Sequence, residues 1–86
     1  SDEYGVLKRA NARLADDREA VTRLNRLQEL EAQFTRMQQR GQEPAEAEQA
    51  EFERIASEVQ VNPAYQGFEV ARANFDRLMM RVNEEI

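Results

Sequence analysis

Apolar side chains recur along this chain at three- and four-residue intervals almost everywhere, and strand-type alternation is absent. That spacing puts them on one face of a 3.6-residue helix, so the pattern predicts amphipathic helices. The first stretch carries Leu7, Ala10 and Leu14, followed by Val21 and Leu24. The next carries Leu27, Leu30, Phe34 and Met37, at spacings of three, four and three. These two frames differ by one residue, so one uninterrupted stripe does not cover both and a break or kink belongs between them. Asp16-Asp17-Arg18-Glu19 supplies it. Asp16 reads as an N-cap that takes backbone N–H groups, with Glu19 reaching back in a capping box.

Gly41 is placed to end the second helix as a left-handed residue just beyond it, with Arg36 and Arg40 against the negative end of the helix dipole. Gln42 and Glu43 make the turn, and Pro44 starts the next helix where a missing N–H is tolerated. The third helix presents Phe52, Ile55, Ala56 and Val59, while Glu46, Glu48, Glu51 and Glu53 read as a solvated face. Asn62-Pro63 is an Asn cap followed by Pro at the first helical position. The last stripe is the most regular: Phe68, Ala71, Phe75, Leu78 and Val82, extended by Ile86.

The pattern therefore predicts an all-α chain, one domain over 1–86, with helical segments at about 3–15, 17–40, 45–60 and 63–86. Its halves are nearly equal and each is interrupted once. The simplest assembly is an antiparallel helical hairpin of two long kinked arms meeting at the Gly41–Pro44 turn. Tyr4, Leu7, Phe68, Phe75, Met79 and Met80 are more apolar residues than such a hairpin needs. The surplus points to a second chain, and the expected interface is Leu7, Phe68, Ala71, Phe75, Leu78, Met79 and Val82. For Met79-Met80, core gap-filling and interface use are equally good readings. Gly67 inside the last helix either admits a close neighbour or is merely tolerated, at roughly 1 kcal/mol against Ala.

Composition sharpens this picture mainly by subtraction. Eighty-six residues bury a small, marginal core, and the chain has no Cys and no His. A disulfide framework, a thiolate metal or iron–sulfur site and a histidine base are thereby excluded, which leaves oligomerisation as the remedy for a small core. The net charge of −5 argues against direct nucleic-acid binding and against an anionic membrane surface. No apolar run exceeds three residues, so no membrane insertion is expected. Ser1, Ser57, Thr22 and Thr35 have no histidine to activate them, and Gly5, Gly41 and Gly67 are too far apart for a phosphate loop. Thirteen Glu and four Asp offer carboxylates, but Asp16 and Asp17 as neighbours do not face each other on a helix. The reading is of no enzyme, with no catalytic, cofactor-binding or metal residues and no cofactor.

The order of these signals resembles the YlbF/YmcA family of bacterial regulators. The matching features are Asp16-Asp17-Arg18-Glu19-Ala20, a long polar helix ending in Arg40-Gly41-Gln42-Glu43-Pro44, and Asn62-Pro63-Ala64-Tyr65-Gln66. Phe75-Asp76-Arg77-Leu78 and Val82-Asn83-Glu84-Glu85-Ile86 complete the set. The resemblance implies a helical, oligomeric, cytoplasmic regulator of bacterial development and RNA processing. It also implies an N-terminally truncated or partly ordered chain, because family members usually carry a further helix before Ser1-Asp2-Glu3-Tyr4. Some members bind iron–sulfur clusters through cysteines, which this sequence lacks. The resulting expectation is a regulatory adaptor acting through helix–helix contacts, as a homodimer or higher oligomer with room for a hetero-partner. The alternative is a chaperone- or scaffold-like helical subunit that takes several clients.

Overall fold

Helix-forming residues and well-placed punctuation produce four helices and no strand among the described residues: α1 (Glu3–Asp16), α2 (Arg18–Gln39), α3 (Glu46–Gln60) and α4 (Pro63–Glu84). The computed structural model of the chain describes residues 2–84, with side chains as far as Arg81. The Val82 side chain and Ile86, both placed on the last stripe by the sequence, lie outside that description. α1 and α2 form one arm and α3 and α4 the returning arm; α2 packs chiefly on α3, and α1 on α4.

The turn between the arms is set by Gly41. Its φ of 69° is the left-handed conformation that only glycine adopts without cost. Gly41 N–H donates to the Gln38 carbonyl at 3.1 Å and Gln42 N–H to the Met37 carbonyl at 2.9 Å. This Schellman pair satisfies the last carbonyls of α2. A Cβ at Gly41 would meet nothing within 4 Å, so Gly41→Ala carries conformational strain without a clash. The expected loss is about 1 kcal/mol, a drop of roughly 5 °C in melting temperature by circular dichroism. An unchanged melt would show that the turn tolerates another geometry.

Two sequence assignments move by one or two positions. Asp17, not Asp16, is the N-cap of α2: its Oδ1 accepts the Ala20 N–H at 3.1 Å, while Asp16 is the last residue of α1. The third position of α2 is then Ala20, so Glu19 cannot close a capping box. Pro44 likewise stands before the cap of α3, which is Ala45; the Pro44 carbonyl accepts from Gln49 Nε2 at 3.1 Å. At α4 the sequence and the fold coincide, with Asn62 Oδ1 accepting the Tyr65 N–H at 2.9 Å.

The two helix breaks lie side by side and are tied together. Asn62 Nδ2 donates to Asp17 Oδ2 at 2.8 Å, so one carboxylate caps α2 and holds the residue that caps α4. Directly beside this clasp Leu14, Ala20 and Ala64 are buried, with Leu24, Tyr65 and Phe68 packed against them.

Elsewhere the core is thin. Seven described residues are buried and three of those are alanines; Leu30 is the largest side chain fully removed from solvent. The shape explains it. The chain measures 46 × 33 × 15 Å, and the short dimension is little more than the 10–12 Å diameter of one helix. Its radius of gyration is 16.5 Å, against about 12 Å for a compact chain of this length. Small domains normally close two layers of secondary structure over one core, and this slab has a single layer.

Candidate interaction face

The α2–α3 half closes on itself. Phe34 and Phe52 stack tilted across the arms with centroids 5.9 Å apart, and Leu30, Ile55 and Val59 are buried. One broad side of this seam carries a ladder of polar ties. Arg26 grips Glu51 with two bonds, at 2.7 and 2.9 Å, Arg23 Nε meets Glu58 at 2.9 Å, and Gln33 bonds Glu48. The Arg26 guanidinium beside Glu51 holds that carboxyl below its ordinary range, and Arg23, then Arg54, does the same for Glu58. Two glutamates of α3 read from the sequence as solvated, Glu48 and Glu51, are thus partnered across the arms, and Glu58 joins them. The signal that could have revealed them was the matching run Arg23, Arg26, Gln33 on α2.

The opposite broad side differs in chemistry. Leu24 is turned roughly 160° around α2 from Arg26, away from the ladder, and it joins Tyr65 and Phe68 over the clasp. From there the same side of α4 continues through Phe75 and Met79, at helical spacings of seven and four. The Tyr4 ring of α1 leans on Phe75 at 6.0 Å, and Lys8 Nζ lies 5.5 Å from the Tyr4 centroid. Tyr4, Phe75 and Phe68 thus line one flank of the α1–α4 seam, with Lys8 beside the Tyr4 ring.

Exposure separates the two halves of the molecule. The strongly exposed large apolar side chains are Tyr4, Val6, Val61, Val70, Met79 and Met80. Every one lies in α1, in α4 or at the residue just before the Asn62 cap; none is in α2 or in the body of α3. The large apolar side chains left in solvent thus belong to α1, α4 and Val61, not to α2 or the body of α3.

Of the residues that the sequence assigned to an interface, Leu7, Phe68, Phe75 and Leu78 are half-buried along the α1–α4 seam, and Met79 is 45% exposed. Ala71 is 3% exposed, already covered within the chain, so it offers no surface. Tyr4 and Met80, counted in the apolar surplus but left out of that set, are each 61% exposed, and Val6, Val61 and Val70 were named in neither. Those three valines lie off the stripes, where periodicity does not look. Gly67 faces open space, with nothing within 4 Å of where a Cβ would sit, so no close helix approach inside the chain requires it.

The clefts beside α1 and α4, about 240, 220 and 320 Å³, are shallow and open to solvent, unlike the enclosing sites that bury a small molecule. Among the described residues no three acidic side chains converge as a metal cage, and no helix is long and apolar enough to cross a membrane. What this end offers to solvent is an aromatic ring, two thioethers and the Lys8 ammonium beside Tyr4.

A family model described as "Control of competence regulator ComK, YlbF/YmcA" matches residues 1–86. No curated protein and no solved structure matches the chain.

Proposed function

The chain belongs to the YlbF/YmcA family of regulators, and from that premise we propose that it is a non-catalytic regulatory adaptor, working through helix–helix contacts made by its α1–α4 end. The observation that carries this reading is the confinement of the strongly exposed large apolar side chains to that end of a one-layer slab. The chain self-associates, and its assembled form offers further helical surface to a partner protein of the regulated system. It works in the cytoplasm without touching nucleic acid directly, in keeping with its net charge of −5.

Area supports self-association. The chain exposes 6583 Å², whereas a compact protein of its mass exposes roughly 5,200 Å². Pairing two copies into a body as compact as one protein of twice the mass removes about 4,500 Å² in total. That falls within the range of obligate homodimers, about 2,000–5,000 Å².

Met79→Glu tests the reading, because Met79 is already 45% exposed and its replacement leaves the seam of the isolated chain intact. Light scattering is expected to give the wild type a mass at least twice 10.0 kDa. The variant is expected to dissociate at least tenfold more readily, with its helical circular dichroism retained. A wild type that stays monomeric up to high concentration, or a variant that assembles equally well, would count against the proposal.

A further inference from the structure

We infer that the two helix breaks form one hinge across the whole molecule, with the Asp17–Asn62 bond as its lock. When that bond is broken, the α1–α4 pair swings as a unit against the α2–α3 pair, toward the open cleft at Pro63. Such a motion sets the angle of the α1–α4 end, whatever that end binds.

Two packed arms bend only where both can, because an unbroken helix in either one splints the other. Here both break at one level. α1 ends at Asp16 and α2 starts at Arg18, while α3 ends at Gln60 and α4 starts at Pro63. Asp17, with a ψ of 96°, leaves the helical range, and its carboxylate meets Asn62 at 2.8 Å. On either side of this level the packing stays within its own pair, since α2 lies chiefly on α3 and α1 on α4. The ties between the pairs gather at the breaks. Asp17 N–H donates to the Leu14 carbonyl at 3.1 Å, Asn62 N–H to the Val59 carbonyl at 3.0 Å, and Gln66 Nε2 to the Gln60 carbonyl at 2.8 Å. Those three run along one arm; the Asp17–Asn62 bond runs from arm to arm.

The direction of the swing follows from what flanks the hinge. One broad side is filled, with Leu24, Tyr65 and Phe68 packed on the buried Leu14, Ala20 and Ala64. Pro63 is turned roughly 160° around α4 from Tyr65. On its side Arg13, Asp16, Asp17, Pro63 and Ala64 line an open cleft of about 320 Å³. Folding toward the filled side drives packed side chains into one another, which a close-packed cluster resists. Folding toward the cleft meets only solvent. Ala20 and Ala64, at 0% and 6% exposure, give the pivot little side chain to repack.

The chain has no cysteine, so introduced pairs can be spin-labelled cleanly. Labels at exposed Gln38 and Ala73 span the hinge, and labels at exposed Gln38 and Ser57 stay within the α2–α3 pair. Dilution with excess unlabelled chain leaves pulsed dipolar spectroscopy reading distances within one chain. Asn62→Asp keeps a capping acceptor on α4 but sets two carboxylates against each other in place of the clasp. It is expected to widen the Gln38–Ala73 distribution roughly twofold and to shift it shorter, with the Gln38–Ser57 distribution unchanged. Asp17→Asn combined with Asn62→Asp restores the bond with donor and acceptor exchanged and keeps both caps, so the narrow distribution is expected to return. An Asn62→Asp distribution as narrow as the wild type's would overturn the hinge. So would widening of the Gln38–Ser57 control, because the loosening would not be confined to the breaks. A double variant that stays as wide as Asn62→Asp would overturn the assignment of this bond as the lock.

Discussion

Leu30→Ala is expected to cost about 3 kcal/mol and to lower the melting temperature by roughly 15 °C. Leu30 is 0% exposed and is the largest side chain fully removed from solvent. It lies midway along α2, on the stripe of Leu27 and Phe34 that turns toward α3. Removing three carbons there loses their transfer free energy and leaves a void that two rigid helices cannot close. An 86-residue chain has a total stability of roughly 4–13 kcal/mol, so this one change removes a large share of it. Neighbouring Glu31→Ala, on an exposed position, is the control and is expected to stay within about 0.5 kcal/mol. Both melts belong at one protein concentration, because assembly adds to apparent stability. A loss under about 1 kcal/mol for Leu30→Ala would mean that the α2–α3 seam is not the stabilising centre.

Asp17→Ala is expected to have the next largest effect, a fall of about 5–10 °C, because one carboxylate serves two helix starts. Its Oδ1 takes the Ala20 N–H of α2, and its Oδ2 takes Asn62 Nδ2, whose own Oδ1 caps α4. Without it, α2 loses a capping acceptor and Asn62 is free to turn from the position that serves Tyr65. Asn62→Ala added to Asp17→Ala is expected to cost less than the two single changes combined, since they share a bond. Full additivity in that cycle would show that the clasp couples nothing.

The same clasp has a pH signature. The Asn62 hydrogen bond first, then the Ala20 N–H, hold the Asp17 carboxyl below its ordinary 3.8. A carboxylate with a lowered folded-state pKa contributes stability that is fully present above its unfolded value and disappears as pH falls through the folded value. Glu51 and Glu58, drawn below 4.5 by Arg26 and Arg23, add contributions of the same sign. Melting temperature is therefore expected to be flat above about pH 5 and to fall increasingly below it. Asp17→Ala should show a shallower fall below pH 3.8 than the wild type. An identical acid slope in the two proteins would remove Asp17 from that account.

Much of the fold was legible before any coordinates. Three- and four-residue spacing gave helices, the acidic run from Asp16 gave a break, and Gly41 and Asn62-Pro63 gave the turn and the second break. These are local signals: each depends on residues within a turn or two of one another, and the chain states them directly. The interaction end was half legible. The surplus of apolar residues was visible because an excess over what one seam needs can be counted; of the residues named for an interface, Met79 is the strongly exposed one. Ala71 and the half-buried Phe68 were named with it because a helical stripe does not say whether its neighbour is the chain's own second arm or another molecule.

The sequence by itself determined that this protein is four helices in two arms, without the histidine or cysteine that common catalytic and metal sites use, and with more apolar side chains than a hairpin buries. Only the tertiary structure decided which of two adjacent aspartates caps α2. Asp17 takes the Ala20 N–H on one oxygen, and Asn62, forty-five residues away, holds the other. The tertiary structure also decided that Glu48, Glu51 and Glu58 meet Gln33, Arg26 and Arg23 across the arms. The register of one arm against the other sets which side chains meet, and register is a property of two packed helices rather than of either stripe.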